Sequence, residues 1–427
     1  MARKEKNRSS HKNREYAVIT YFFLLMFLGL IAYFVYFQLV KSDKFINSPY
    51  NSLQDLFAKN VVRGEITTAD GEVIARTVTD ADGNETREYP DGRMFAHAVG
   101  YAVNGKAGME KQENFTLLRS HDFFLTQIVN DISGTKNIGD NVISTLDHKA
   151  QNAAYEALDD YDGAVIAIEP ETGKIVAMVS KPDYDPNTIS ADWDEVNGDG
   201  STALYNRATQ GQYAPGSVFK IFTALEYYNE FPDTYEDYEF DCDSEITRDG
   251  FTIHCSGNKS HGTEDLRKSF AKSCNSSFAN IGLTIDNNKL NALCNDMLFN
   301  KDIPIEFESK ASKFSLSNSD TTALTMQTCI GQGNTLVSPL HMCMVAGAIC
   351  NGGTLMTPYI VDHVENAGGM VVTQNEPQKN KALMSEKQAA FLQDLMSAVV
   401  SEGTGSKLAD QSYDAYGKTG TAQVSDT

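Results

Sequence analysis

Three short motifs could do chemistry together in this 427-residue sequence: Ser217-Val-Phe-Lys220, Ser273-Cys-Asn275 and Lys418-Thr-Gly420. A serine hydroxyl is a poor nucleophile until a base takes its proton. Residues i and i+3 share a helix face, so a helix through Ser217 puts Lys220 beside it. The base must be a neutral amine. Lowering a lysine from roughly 10.4 to about 7 costs about 4–5 kcal/mol, and burial or a neighbouring cation can supply that shift. Val218, Phe219, Ile221 and Phe222 offer burial, and Lys418 offers the cation. A serine at a helix N-terminus also gains from the helix dipole as negative charge develops. The chemistry is acyl transfer through a serine. Each motif alone is weak: Ser-x-x-Lys recurs at Ser9, Ser133, Ser256 and Ser269, and Ser-x-Asn recurs at Ser256. Order, spacing and the Pro215-Gly216 break just before Ser217 raise the signal.

The elements that must position these residues follow from periodicity. Gly163–Pro170 and Lys174–Ser180 are β-branched, apolar runs joined by a turn at Glu171-Thr-Gly173, which predicts a buried hairpin. Helices are predicted over Lys149–Leu158, Ser217–Tyr228 and Glu264–Ile285. Two more are predicted from Ser338-Pro339 to Cys350 and over Glu386–Val400, and a last strand carrying Lys418 over Asp414–Val424. Two strands, a block of helices and a returning strand describe an α+β domain with helices packed on an antiparallel sheet. Upstream, strand-like runs Glu65–Ala75 and Asn141–Leu146 alternate with turn signals at Asp70-Gly71, Asp82-Gly83 and Asp91-Gly92. They predict an elongated, mostly β pedestal.

Charge separates one end from the rest. The net charge of −21 makes nucleic acid an unlikely partner. Residues 1–16 nevertheless carry six bases and two acids, which leaves 30 bases against 55 acids in the remainder. Ala17–Val40 has no charged residue. Its 24 residues rise about 36 Å as a helix, enough to cross a hydrocarbon core of about 30 Å. The basic flank puts the N-terminus in the cytoplasm and everything from Lys41 outside. The expected organisation is a basic tail (1–16), a transmembrane helix (17–40), a pedestal (41–150) and a catalytic domain (151–427).

Seven cysteines are too few for a disulfide scaffold. Cys242 and Cys255 flank a turn at Asp249-Gly250 and form a candidate disulfide, with free thiols as the alternative. A metal site from Cys242, Cys255, His254 and His261 fits no common zinc-finger spacing. Cys274, Cys294, Cys329, Cys343 and Cys350 read as small core residues.

With the three motifs in order, the chain resembles the class B penicillin-binding proteins, and in size and pedestal the penicillin-binding protein A type. The likeness extends to Val62-Arg-Gly-Glu-Ile66, Ala69–Ala75, Gly108-Met-Glu110, Thr145-Leu-Asp147 with Gln151, Ile330-Gly-Gln-Gly333, Val337-Ser-Pro-Leu340, Asn351–Thr354 and Glu402-Gly-Thr-Gly405. The resemblance implies a penicillin-binding/β-lactamase-like transpeptidase fold and a peptidoglycan D,D-transpeptidase that cross-links stem peptides at the plasma membrane. It implies Ser217 as the acylated nucleophile, Lys220 as its base, Ser273 as proton relay and Asn275 as a hold on the D-Ala-D-Ala donor. Lys418, Thr419, Gly420 and Thr421 would bind the terminal carboxylate, and the backbone N–H groups of Ser217 and Thr421 would form the oxyanion hole. β-Lactams are implied as inhibitors and a polytopic glycan polymerase as partner, in cell shape or division. No metal or organic cofactor is implied. The family pattern continues past Gly420 with more strands and a closing helix, so the catalytic domain is expected to be truncated at Thr427. Two alternatives remain: a D,D-carboxypeptidase or β-lactamase-type hydrolase, in which water replaces the acceptor amine, and a non-catalytic β-lactam sensor or polymerase-regulating scaffold.

Overall fold

A computed structural model describes residues 2–41 and 60–423. The first helix runs Ala2–Tyr36, so the basic segment and the apolar segment share one helix, and a π-helical turn follows over Phe37–Lys41. Its stretch Tyr16–Tyr36 is 21 residues long, with none of its apolar window buried against the rest of the chain. At about 1.5 Å per residue that stretch is about 31 Å, long enough to cross a membrane. Residues 42–59 of the expected pedestal lie outside the described residues.

The pedestal is built on a six-stranded sheet. Its order is Val371–Gln374, Val361–Glu365, Asn141–Ser144, Ile66–Thr67, Val73–Thr79 and Glu85–Glu88. Neighbours are antiparallel except Ile66–Thr67 and Asn141–Ser144, which run parallel. Short helices, among them Ala96–Val99, Gly108–Gln112 and Phe124–Ser133, accompany the sheet. Two of its strands come from residues 361–374, so the division expected at residue 150 does not separate the sheet from the later chain. The physical reason is burial: Val361 packs into the same apolar cluster as Ile66, Val142, Ile175 and Met178. A strand so far along the chain leaves no local mark of which sheet it will join.

The Gly108-Met-Glu110 motif holds the pedestal together from inside. Glu110 is fully buried. It accepts from Arg63 Nε at 2.6 Å and Arg87 Nε at 2.7 Å, while Arg63 Nη1 donates to Asn114 Oδ1 at 2.6 Å. The two guanidinium charges hold its carboxyl below the usual carboxylate range against the opposing effect of burial.

The predicted hairpin is present as Gly163–Ile168 against Ile175–Lys181. His148–Leu158 packs on it, with Asp147 capping the helix by accepting from Ala150 N at 2.7 Å. Pro339–Cys350 covers the hairpin too, capped by Ser338 with Pro339 in the first turn. Glu386–Ser401 is closed by a capping box between Ser385 and Gln388. The segment Gly216–Glu230 buries Phe219 and Phe222 against Phe299 and Phe314, with ring centroids 5.1 to 6.2 Å apart. Those rings anchor the start of that helix in the largest core of the molecule.

Candidate active site

The segment around Ser217 begins as a 3-10 turn, Gly216–Phe219, and continues as an α-helix, Lys220–Glu230. Gly216 sits at φ +53°, which a residue with a side chain rarely adopts. A Cβ there would stand 2.5 Å from the carbonyl oxygen of Thr421. A Cβ on Gly420 would meet Val218 at 2.8 Å and the Pro215 carbonyl at 3.1 Å. Residues 420–422 therefore lie directly on the turn that presents Ser217. On its other side, Gly216 N–H donates to the Gly331 carbonyl at 2.9 Å, which brings in the Ile330-Gly-Gln-Gly333 run.

The helix predicted over Glu264–Ile285 is two helices, Leu266–Ala271 and Asn275–Gly282. Ser273 lies between them at φ +58°. A left-handed turn at a residue other than glycine costs on the order of 1–3 kcal/mol and marks a position held by its surroundings. Here the break turns both the carbonyl and the hydroxyl of Ser273 toward Lys220, which an unbroken helix would not do.

Lys220 is fully buried. Its Nζ donates to the Ser273 carbonyl at 2.7 Å and to Asn275 Oδ1 at 2.8 Å, and lies 3.3 Å from Ser273 Oγ. Together with the longer contact to Ser273 Oγ, these bonds place three acceptors around the amine. Burial, and then the charge of Lys418, push the Lys220 pKa well below its ordinary value. Lys220 lies one helical turn along from Ser217. Its hydrogen bonds go to Ser273 and Asn275, a link that the i, i+3 spacing did not disclose.

Lys418 Nζ donates to Ser273 Oγ and to the Thr419 carbonyl, each at 2.9 Å, and sits 5.5 Å from the Phe270 ring. Burial pulls its pKa down to about 7. Phe278 lies in the same way 5.4 Å from Lys220. Thr419 Oγ1 is 2.6 Å from Thr404 Oγ1, which ties in the Glu402-Gly-Thr-Gly405 run. The expected strand over Asp414–Val424 is not formed among the described residues. The backbone there runs alongside residues 215–218 without a ladder partner, and Val424 lies outside the described residues. A strand is defined by pairing, and no single segment can display its own partner.

The structure thus brings Lys220, Ser273, Asn275, Lys418 and Thr419 to one place, with Ser217 one turn before Lys220 and Gly420 and Thr421 against the turn that carries it. It does not form the expected Cys242–Cys255 disulfide. Both are free thiols with sulfurs 3.7 Å apart, and Cys274 Sγ approaches each of them. Of the other cysteines read as core, Cys350 is exposed. Sequence reasoning missed the role of His254, whose carbonyl accepts from Asn275 Nδ2 at 3.0 Å. It also missed the contact between Gly331 and Gly216. A backbone carbonyl has no sequence signature, whereas Gly-x-Gly in the 331–333 run was a visible signal. A serine hydroxyl, a buried amine with a lowered pKa, a bridging hydroxyl and a second lysine can take up a proton, carry a covalent acyl group and receive an anionic end group.

The model of the penicillin binding protein transpeptidase domain matches residues 163–427, and that of the penicillin binding protein A dimerisation domain matches residues 63–142. The peptidoglycan D,D-transpeptidase PbpA of Mycolicibacterium smegmatis is 30% identical over 420 residues, covering 94% of this chain and 85% of that protein. Among solved structures, a D,D-transpeptidase domain of a peptidoglycan glycosyltransferase from Eggerthella lenta superposes with a TM-score of 0.77 at 31% identity, covering 86% of this chain and 88% of that one. The imipenem acyl-enzyme complex of penicillin-binding protein A from M. tuberculosis superposes at 0.72 with 26% identity, covering 80% and 82%.

Proposed function

This chain belongs to the penicillin-binding protein transpeptidase family, and from that premise we propose that its D,D-transpeptidase chemistry runs through Ser217. The observation that carries the assignment is that Lys220 and Lys418 converge on one hydroxyl, that of Ser273. Lys220, neutral and buried, takes the Ser217 proton as Oγ attacks the carbonyl between the last two D-Ala residues of a stem peptide. The backbone N–H groups of Ser217 and Thr421 stabilise the oxyanion. The proton passes from Lys220 by way of Ser273 to the departing D-Ala nitrogen, which leaves as an amine, and the acyl group stays on Ser217. An amine of a second stem peptide then attacks the ester and regenerates the hydroxyl. Asn275 holds the donor, and Lys418, Thr419 and Gly420 receive its terminal carboxylate. A β-lactam enters by the same step, but its amine remains tethered to the acyl group.

We assign residues 17–40 to a membrane span with a cytoplasmic N-terminus, 41–150 with the strands of 361–374 to the pedestal, and the remainder of 151–427 to the catalytic part. An exterior catalytic site and a polytopic glycan polymerase as partner complete the reading. Labelling of the full chain by a fluorescent penicillin tests the nucleophile: Ser217→Ala abolishes labelling, and labelling that survives the substitution refutes the assignment. Release of D-Ala with and without an added acceptor amine separates transfer from hydrolysis, and the transfer product is expected to dominate when the amine is present.

A further inference from the structure

Next to the Ser273 turn, four metal-ligating side chains converge from four different segments. Cys242 ends the strand Phe240–Cys242, Cys255 follows the strand Phe251–His254, His261 precedes the strand Gly262–Glu264, and Cys274 caps the helix Asn275–Gly282. The sulfur separations are 3.7 Å for Cys242–Cys255, 3.6 Å for Cys255–Cys274 and 3.4 Å for Cys242–Cys274. His261 Nδ1 is 3.5 Å from Cys242 Sγ, and the four ligand atoms all lie within 4.8 Å of one another. Zinc bonds of about 2.3 Å to sulfur and about 2.0–2.1 Å to nitrogen give a tetrahedron with S–S edges of about 3.8 Å and S–N edges of about 3.5 Å. The observed spacings match those edges. They are far from the roughly 2.05 Å of a disulfide, and any one disulfide would strand the third thiol.

The surroundings suit an ion. The three cysteines are buried and His261 is half-buried, which leaves a side of entry. Ser277 N–H donates to Cys274 Sγ at 3.4 Å, and the Ser276 hydroxyl is 3.2 Å from Cys255 Sγ, as expected around sulfurs that carry negative charge. His254, the other candidate from spacing, instead pairs with Glu245 at 3.0 Å in an exposed position.

We propose that Cys242, Cys255, His261 and Cys274 form a tetrahedral zinc site that positions the Ser273–Asn275 turn. Each cysteine binds as a thiolate, so three thiol protons pass to solvent when zinc enters. Cys274 joins Ser273 to Asn275, and Cys255 follows His254, whose carbonyl holds Asn275 Nδ2. The ion therefore locks, from behind, both segments that fix Asn275, the partner of Lys220. The positioning role rests on the catalytic reading above; the metal site itself does not.

The test uses the full chain purified in detergent after dialysis against zinc(II) and then against metal-free buffer. Elemental analysis is expected to find one zinc per chain in the wild type, with almost none in Cys242→Ser or His261→Asn. Replacement by cobalt(II) is expected to give the intense thiolate charge-transfer and tetrahedral ligand-field bands. Stripping zinc from the wild type with a chelator is expected to slow fluorescent-penicillin labelling at least about tenfold, with recovery on readdition. A wild-type chain that retains no zinc, or a Cys242–Cys255 disulfide in a non-reduced digest, overturns the site whether or not the variants fold. Full labelling of the stripped chain overturns the positioning role. Metal content is read without reference to acylation, so failure of the site and failure of the catalytic reading are distinguishable.

Discussion

Replacing Gly331 by alanine tests whether the site depends on backbone approach rather than on its reactive groups alone. Gly331 lies at φ +84°, and an added Cβ would stand 1.7 Å from the Gly216 carbonyl oxygen and 2.5 Å from its carbon. An ordinary carbon–oxygen approach is about 3.3 Å, so the two segments must separate by about 1.6 Å. The left-handed conformation adds on the order of 1–2 kcal/mol for a residue with a side chain. Gly216 is bonded directly to Ser217, so much of that movement reaches Ser217, the proposed nucleophile. A displacement of about 1 Å at a reacting group can cost about 100-fold in rate. Gly331→Ala is expected to slow acylation by fluorescent penicillin about 100-fold, read from the time course of labelling, and to lower thermal stability by a few kcal/mol. Gly347→Ala is the control: it lies within the Pro339–Cys350 helix and its Cβ would meet nothing within 4 Å. Its helix propensity should raise stability by up to about 1 kcal/mol with labelling unchanged. Wild-type labelling rates in Gly331→Ala would refute the claim that this close contact sets the position of Ser217.

Two further outcomes follow from the charges. With Lys418 at about 7 in the free protein, the second-order rate of acylation by an anionic penicillin should fall above about pH 7, and Lys418→Arg should move that limb past about pH 9; a flat profile from pH 6 to 9 refutes the carboxylate role. Because both lysines are depressed when folded, the unfolded chain binds more protons at them above about pH 7, and stability should rise with pH from about 7 to 8 in a denaturant titration, before the buried thiols and phenols with raised pKa values oppose the trend. Glu110→Ala strands two buried guanidinium groups and should destabilise the chain by about 3–5 kcal/mol in the same titration, while a loss under about 1 kcal/mol would sink the view that this carboxylate holds the pedestal together.

What the sequence by itself determined is what depends on near neighbours. The i, i+3 spacing of Ser217 and Lys220, the Pro-Gly break before them, the hairpin Gly163–Ser180, the helix start at Ser338-Pro339 and the apolar run at the N-terminus are all local patterns, and each appears where its periodicity indicated. The motif set was legible because its residue types are few and their chemistry is specific. What only the tertiary structure decided is what depends on segments far apart in the chain. The left-handed break at Ser273 is set by Lys220 and Lys418, not by the helical run that contains it. Strand Val361–Glu365 joins the pedestal sheet because Val361 packs with Ile66 and Val142, strand Val371–Gln374 pairs along its outer edge, and nothing within either strand says so. Cys274 read as a small core residue from its type; its place beside Cys242, Cys255 and His261 exists only once four segments have packed. Short-range order follows from backbone sterics and side-chain period, whereas a site assembled across hundreds of residues is fixed by burial of the whole core.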